Sequence, residues 1–558
     1  MKPLFGIWIL LMLALLGCQK GEHVIKDHAP VDHVKAQMKK LAPVTINFDH
    51  TLLNENEMQV LRLLVRAAQY MDNIFLEQVY GKNTEILREL EKDQSEKSKW
   101  LLDYFRINFG PFDRLDHDKP FINISEQKPS GANYYPEDMT KEEFLKWLQT
   151  HPEDEQSFTS NYTIIRREGD KLVAIPYSEA YKHHLKPAAE LLMQASELAK
   201  NPSLKKFLKS RAEAFLSNDY FQSDMDWVDL KDHKIEIVIG PYEVYEDNLF
   251  GYKAAFESFI TIVDPDESKK LAVVGTYLDK LEQNLPIPDR YKNFNRGKSS
   301  PILVVQEVFT AGDTKAGIQT TAFNLPNDER VREAKGSKKV MLKNIARAKF
   351  DHCWIPIVNQ LLDKEDLPYI SFDAYFNHVL LHEMAHGLGP GIIEKNGEKT
   401  TVNKELKELY STIEEAKADI LGVYNLQFLI DEGVFPKELE ENLYISFLGG
   451  IFRSVRFGIN EAHGGANAIS LNYILEKGGF EFDKEHVTFK VNKAKIKDAV
   501  KALSHDLLMI QAEGSYEKAK DLIEKYRIMS EPMKLALAKV KDVPVDIRPH
   551  YAIEEELN

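Results

Sequence analysis

The sequence predicts an α+β fold, predominantly helical and divided into a mixed N-terminal lobe and a mainly α-helical C-terminal lobe. Two observations carry this. Short β-branched runs separated by turn residues cluster between 233 and 325. From about 340 to 540 strand signals give way to apolar residues at helical spacing. The 558 residues leave room for two large lobes, and 43% hydrophobic with 28% charged residues is an ordinary globular balance. The net charge of −15 argues against a nucleic-acid binder, which needs a concentrated basic face.

In chain order, Lys2 precedes an apolar run from Phe5 to Leu16 that ends in Leu15-Leu16-Gly17-Cys18. The run is too short to span a membrane comfortably and reads as a signal peptide over 1–17. LLGC resembles a bacterial lipobox, so Cys18 is the expected lipidation site. Gln19 is not the aspartate of inner-membrane retention, so an outer-membrane anchor facing periplasm or exterior is expected. Residues 18–42 are polar and mixed, the expected tether. Cys353 is the second of the two cysteines. With Cys18 lipidated no disulfide is expected, and Trp354, Ile355 and Ile357 mark Cys353 as a buried small hydrophobe.

The mixed lobe is placed at 43–340. A long helix is expected from Asn54, another over 83–105, then loop over 106–138. Residues 162–167 and 172–176 flank Glu168-Gly169-Asp170 as a hairpin, and helices follow near 178–199 and 202–217. The strand-rich stretch contributes 235–239, 259–263, 271–274, 302–309 and 317–323. The helical lobe is placed at 341–545, with a C-terminal tail over 546–558. There is no internal repeat and no Nudix box.

Inside the helical lobe, 381–391 reads LHEMAHGLGPG. His382 and His386 lie one turn apart on one helix face, with Glu383 turned about 100° away. Two imidazoles and an adjacent carboxylate supply two zinc ligands and a base. Phe372, Tyr375, Phe376, Val379 and Leu380 form the buried stripe of that helix, and Gly387, Gly389, Pro390 and Gly391 stop it. The pentapeptide is short enough to arise by chance, so a third ligand is needed. Residues 405–431 form a strongly amphipathic helix bearing Glu414-Glu415-Ala416-Lys417-Ala418-Asp419. Glu415 and Asp419 share a face; one can ligate the metal while the other holds a ligand imidazole by its second nitrogen.

HEMAH followed by EEAKAD resembles peptidase family M49, the dipeptidyl peptidase III family, whose signature is HEXXGH with EECRAE or EECRAD. This chain lacks the extra residue between the histidines. Other segments carry the resemblance further, in the family's order from about 45 to 545: IGPYEVYED at 239–247, FESF at 256–259, TAFNLPND at 321–328, GSKKV at 336–340 and EAH at 461–463. The resemblance implies two lobes around a wide cleft and one Zn²⁺ per chain on His382, His386 and Glu415. It implies Glu383 as general base, with Glu414 and Asp419 supporting the ligands. Tyr245 and His463 would donate to the oxyanion. Where the family carries an arginine four residues after this histidine, the chain has Asn467.

Glu243, Asn324 and Asn327 match the family residues that hold a substrate's free amino terminus. The chemistry is apt, because an ammonium needs a carboxylate and amide carbonyls. Held at a fixed distance from the metal, they would count off two residues. The expected activity is therefore removal of N-terminal dipeptides from short peptides by a monomeric, lipid-anchored zinc exopeptidase. A thermolysin-like endopeptidase, which needs no amine anchor, and an inactive zinc- or peptide-binding lipoprotein are the alternatives.

Overall fold

In the computed structural model, residues 31–122, 124, 127–294 and 302–557 are described. The signal peptide and Cys18 lie outside them. The architecture is predominantly helical α+β and two-lobed.

One lobe is built on a five-stranded sheet. Its strands, with β1 reserved for Leu41–Ile46, are β2 (Ile235–Glu243), β3 (Ala255–Val263), β4 (Ile302–Gly312), β5 (Ala322–Leu325) and β6 (Lys338–Leu342). The order is β2-β3-β4-β6-β5. All neighbours are antiparallel except β4 and β6, which leaves β5 as an edge. Helices α1 (Glu55–Val79), α2 (Lys182–Leu198) and α3 (Pro202–Ser217) share one apolar core with the sheet. α1 starts where the sequence placed it, because Asn54 and Glu57 form a reciprocal capping box.

The other lobe is a helical assembly. It contains α4 (Phe372–Ala385), α5 (Tyr410–Asp431), α6 (Leu439–Val455), α7 (Ala462–Glu476) and α8 (Ile496–Glu513) around a second core. A small apolar cluster joins the lobes: Leu271, Val304, Met341 and Ala346 pack with Phe376 and Leu380 of α4. It fixes the zinc-motif helix against the sheet.

Several expectations are corrected. The 271–274 run is helical, within Pro265–Gly275; Asp264 caps the amides of Asp266 and Glu267, and Pro265 takes the first turn. The 317–323 strand shrinks to β5, because Gly317 turns the chain at φ +66. The 83–105 helix is two, Asn83–Lys92 and Glu96–Asn108. The expected tether is structured from Val31: Val31–Met38 is a helix with Val34, Gln37 and Met38 buried, and β1 follows. The expected tail is not a tail. Asp546–Tyr551 forms β7 parallel to β1, with Tyr551 fully buried. Its anchor is a buried charge: Lys349 and the Gln319 amide both reach the Asp546 carboxylate, at 2.9 and 2.7 Å. Cys353 is fully buried, and burial pushes its thiol pKa up to about 11.

Candidate active site

Ser371 caps α4, and the helix carries His382 and Glu383 into its last turn, with His386 at its C-terminal boundary. α4 and α5 approach closely at Gly422. A Cβ there would sit 3.0 Å from His378 Cδ2 and 3.1 Å from the His382 amide nitrogen. This approach brings Glu414, Glu415 and Asp419 onto the histidines. Gly422→Val is expected to part the helices, lowering stability by about 1–3 kcal/mol in chemical denaturation and weakening metal binding.

Each imidazole is held by a carboxylate at Nδ1. Asp419 Oδ1 lies 2.7 Å from His382 Nδ1, and Glu414 Oε1 lies 2.8 Å from His386 Nδ1. The two rings stand at 89° with their Nε2 atoms 3.2 Å apart. Glu415 Oε2 is 3.4 Å from one and 3.9 Å from the other; it is buried and makes no hydrogen bond. Two nitrogens whose partners occupy the far side of each ring, facing an unbonded carboxylate oxygen, form a cage for a cation. The N₂O donor set suits zinc with an open coordination position. Burial disfavours a charge on His382, but the Asp419 carboxylate outweighs it and raises the pKa to about 10. Burial also opposes ionisation of Glu415, yet His382 and His463 hold it well below the carboxylate range.

Glu383 lies beside the cage, and its carboxylate meets Lys339 Nζ at 2.9 Å. His463, at the start of α7, places Nδ1 3.2 Å from Glu415 Oε2 while remaining 65% exposed. Asn467 donates to Asp419 Oδ2 at 2.9 Å, so this uncharged residue braces the support of His382. Tyr245 is not joined to this cluster. It is 79% exposed, and among the described residues no hydrogen bond connects it to the histidines or Glu415. Glu243 and, more weakly, Asp313 and Glu257 raise its phenol pKa. Glu243 ends β2, where burial raises its carboxyl pKa and the Asn327 amide counters this. Asn327 also donates to Tyr242 O at 3.1 Å. Asn324 is exposed on edge strand β5, directly opposite Lys339 in the β6 register.

The sequence profile of Peptidase family M49 matches residues 151–427, a span that holds all three cage residues and the three amine-anchor candidates. The structure of DPP III from Caldithrix abyssi superposes with a TM-score of 0.92 at 59% identity, covering 94% of this chain and all of that one. The chain belongs to peptidase family M49, the dipeptidyl peptidase III family. Dipeptidyl-peptidase III from Corallococcus sp. strain EGB is similar at TM-score 0.78 and 42% identity, over 95% of this chain and 99% of that one. An Arabidopsis thaliana protein named Nudix hydrolase 3 is 41% identical over 94% of this chain and 74% of its own length. This M49 chain is therefore a metallopeptidase.

Four residues in or near the candidate site escaped sequence reasoning. Lys417, buried, pairs with Glu414 at 2.9 Å and donates to the carbonyls of Ala385 and Leu388. Gln511 reaches the other Glu414 oxygen from α8 at 2.7 Å. Lys339 holds Glu383. Glu257 is 3% exposed, its pKa raised well above the carboxylate range by burial and by Asp313 and Glu243. Its neighbours on both adjacent strands are glycines, Gly240 and Gly312, so no side chain directly opposite covers it. FESF in a strand alternates ordinarily, and only the glycine register would have marked it. Asp419→Ala frees one ring to rotate and is expected to weaken zinc binding about 10- to 100-fold in chelator competition.

Proposed function

We propose that this M49 chain is a zinc-dependent dipeptidyl peptidase that removes N-terminal dipeptides from short peptides. The observation that carries the reading is the convergence of His382 Nε2, His386 Nε2 and the unbonded Glu415 Oε2, each imidazole backed by its own carboxylate. A zinc ion held by these three would supply a Lewis acid and lower the pKa of attacking water towards about 7. Glu383 takes the proton from that water and returns it to the leaving amine. His463, exposed beside Glu415 at the cage rim, would donate to the oxyanion. Tyr245 takes that role only if substrate brings β2 closer to the cage.

The exopeptidase register rests on the sheet. β5 is an edge strand to which an extended peptide can add. Asn324 and Asn327 offer amide carbonyls and Glu243 a carboxylate to the amino terminus. Glu257 and Asp313 lie near the same point, where burial raises both carboxyl pKa values, that of Asp313 to about 7. One chain holds every group invoked, so we infer a monomer. We also infer anchoring through Cys18; among the described residues no helix is long and apolar enough to cross a membrane.

The test offers the zinc-loaded chain an Arg-Arg arylamide with a free amine and its N-acetylated counterpart. Release from the free amine only, abolished by chelation, is the expected result. Equal cleavage of the blocked compound points to an endopeptidase, and no cleavage of any peptide with zinc bound points to a binding protein.

A further inference from the structure

The groups that anchor a peptide and the group that moves its proton lie on different lobes, and one side chain connects them. Lys339 projects from β6. Its Nζ donates to Glu383 Oε2 at 2.9 Å and to Glu383 O at 3.0 Å. Both side chains are mostly buried, 18% and 23% exposed. Among the described residues no other lysine or arginine pairs with Glu383.

The contact is built into the packing. Two residues along the same face of β6, Met341 packs with Phe376 and Leu380 of α4. Residues 376, 380 and 383 follow one helical face at four- and three-residue spacing, just as 339 and 341 follow one strand face. Strand and helix are thus zipped together, apolar at one end and ionic at the other. On its sheet side Lys339 lies directly opposite Asn324. Side chains of such a pair start about 4.5–5.5 Å apart on one face. Lys339 therefore stands between an amine-anchor candidate and the base.

We propose that Lys339 is a positioning residue for Glu383, fixing the base carboxylate relative to the strand that receives the peptide. The proposal rests on the peptidase reading. The ammonium gives the carboxylate a defined rotamer through two donated bonds, one to the side chain and one to the backbone of the same residue. Without it, Glu383 retains its place on α4 but loses the constraint on its χ angles. A general base displaced by an ångström costs rate rather than binding.

The experiment compares the zinc-loaded full chain with Lys339→Met and Lys339→Arg on the free-amine dipeptidyl arylamide. Methionine keeps the apolar stem and removes the charge. The expected result is a kcat about 10- to 100-fold lower in Lys339→Met with KM changed less than about threefold. Zinc content and melting temperature stay unchanged, and Lys339→Arg recovers most of kcat. In a Glu383→Gln background the methionine substitution should cost nothing further, because the constrained group no longer transfers a proton. An unchanged or raised kcat in Lys339→Met overturns the proposal while leaving the peptidase reading intact. So does a loss that tracks zinc content or stability, or an equal loss in the Glu383→Gln background. A wild-type chain that releases no dipeptide overturns both.

Discussion

Glu383→Gln should reduce turnover by about 10²- to 10⁴-fold while leaving the metal in place. The separation of these effects follows from geometry. Glu383 contributes no atom to the His382–His386–Glu415 cage; its carboxylate points to Lys339. Glutamine is nearly isosteric, and its carbonyl oxygen can still accept from Lys339 Nζ, so the packing between β6 and α4 survives. What is lost is the ability to accept a proton and hand it on. Peptide binding, which we propose rests on Glu243, Asn324 and Asn327, should be little affected, so the loss appears in kcat. The measurement pairs steady-state kinetics with zinc content of the purified variant. Retention of more than about a tenth of wild-type kcat would mean another group takes the proton, because a placed general base is worth at least about 10².

The residues proposed to hold zinc were legible as a cluster because both halves of the cage are local helical patterns. His382 and His386, like Glu415 and Asp419, are related by one turn, and amphipathic periodicity identified each helix independently. The supports of Glu414 were not legible. Lys417 sits in EEAKAD, where a lysine between acids reads as part of a solvated face, yet it is 2% exposed. Its burial depends on the carbonyls of Ala385 and Leu388 at and just beyond the end of α4, a relation visible only after α4 and α5 meet at Gly422. Gln511 and Lys339 reach the site from distant elements; GSKKV at 336–340 marks the segment of Lys339 but not its pairing with Glu383, and nothing near Gln511 marks it.

The fold errors have the same origin. The 271–274 run is too short for periodicity to separate strand from helix, and the decisive signal was the Asp264-Pro265 start upstream. β7, read as a tail, contains Pro549 and is only six residues long. Its strand character comes from a partner at Leu41–Ile46 and from the buried Lys349–Asp546 pair, both remote in sequence. Tyr245 shows the limit of residue-by-residue transfer. Its segment matches the family, but in this structure its neighbours are the carboxylates of the sheet lobe, not the cage.

Glu415→Ala should weaken zinc binding more than about 100-fold, beyond the upper end of what losing an outer partner such as Asp419 costs. It removes the only oxygen in the cage and leaves two imidazoles, one short of a catalytic zinc site's protein ligands. The pH dependence supplies a second, sharper expectation. In the metal-free protein His382 is protonated up to about pH 10, because Asp419 outweighs its burial. His463 is likewise raised, chiefly by the Glu415 carboxylate 3.2 Å away. An imidazolium cannot ligate, so zinc must displace at least one proton. Binding should be weakest at low pH and strengthen about tenfold per pH unit per proton released, levelling near pH 10. Calorimetry at pH 7.5 in buffers of different ionisation enthalpy should register that release. Asp419→Asn removes the charge that holds the His382 proton, so the same measurement should register fewer protons even as affinity falls. The two changes run together only if Asp419 both raises the basicity of His382 and fixes its orientation; an unchanged proton count in Asp419→Asn would separate the roles and assign the proton to another group.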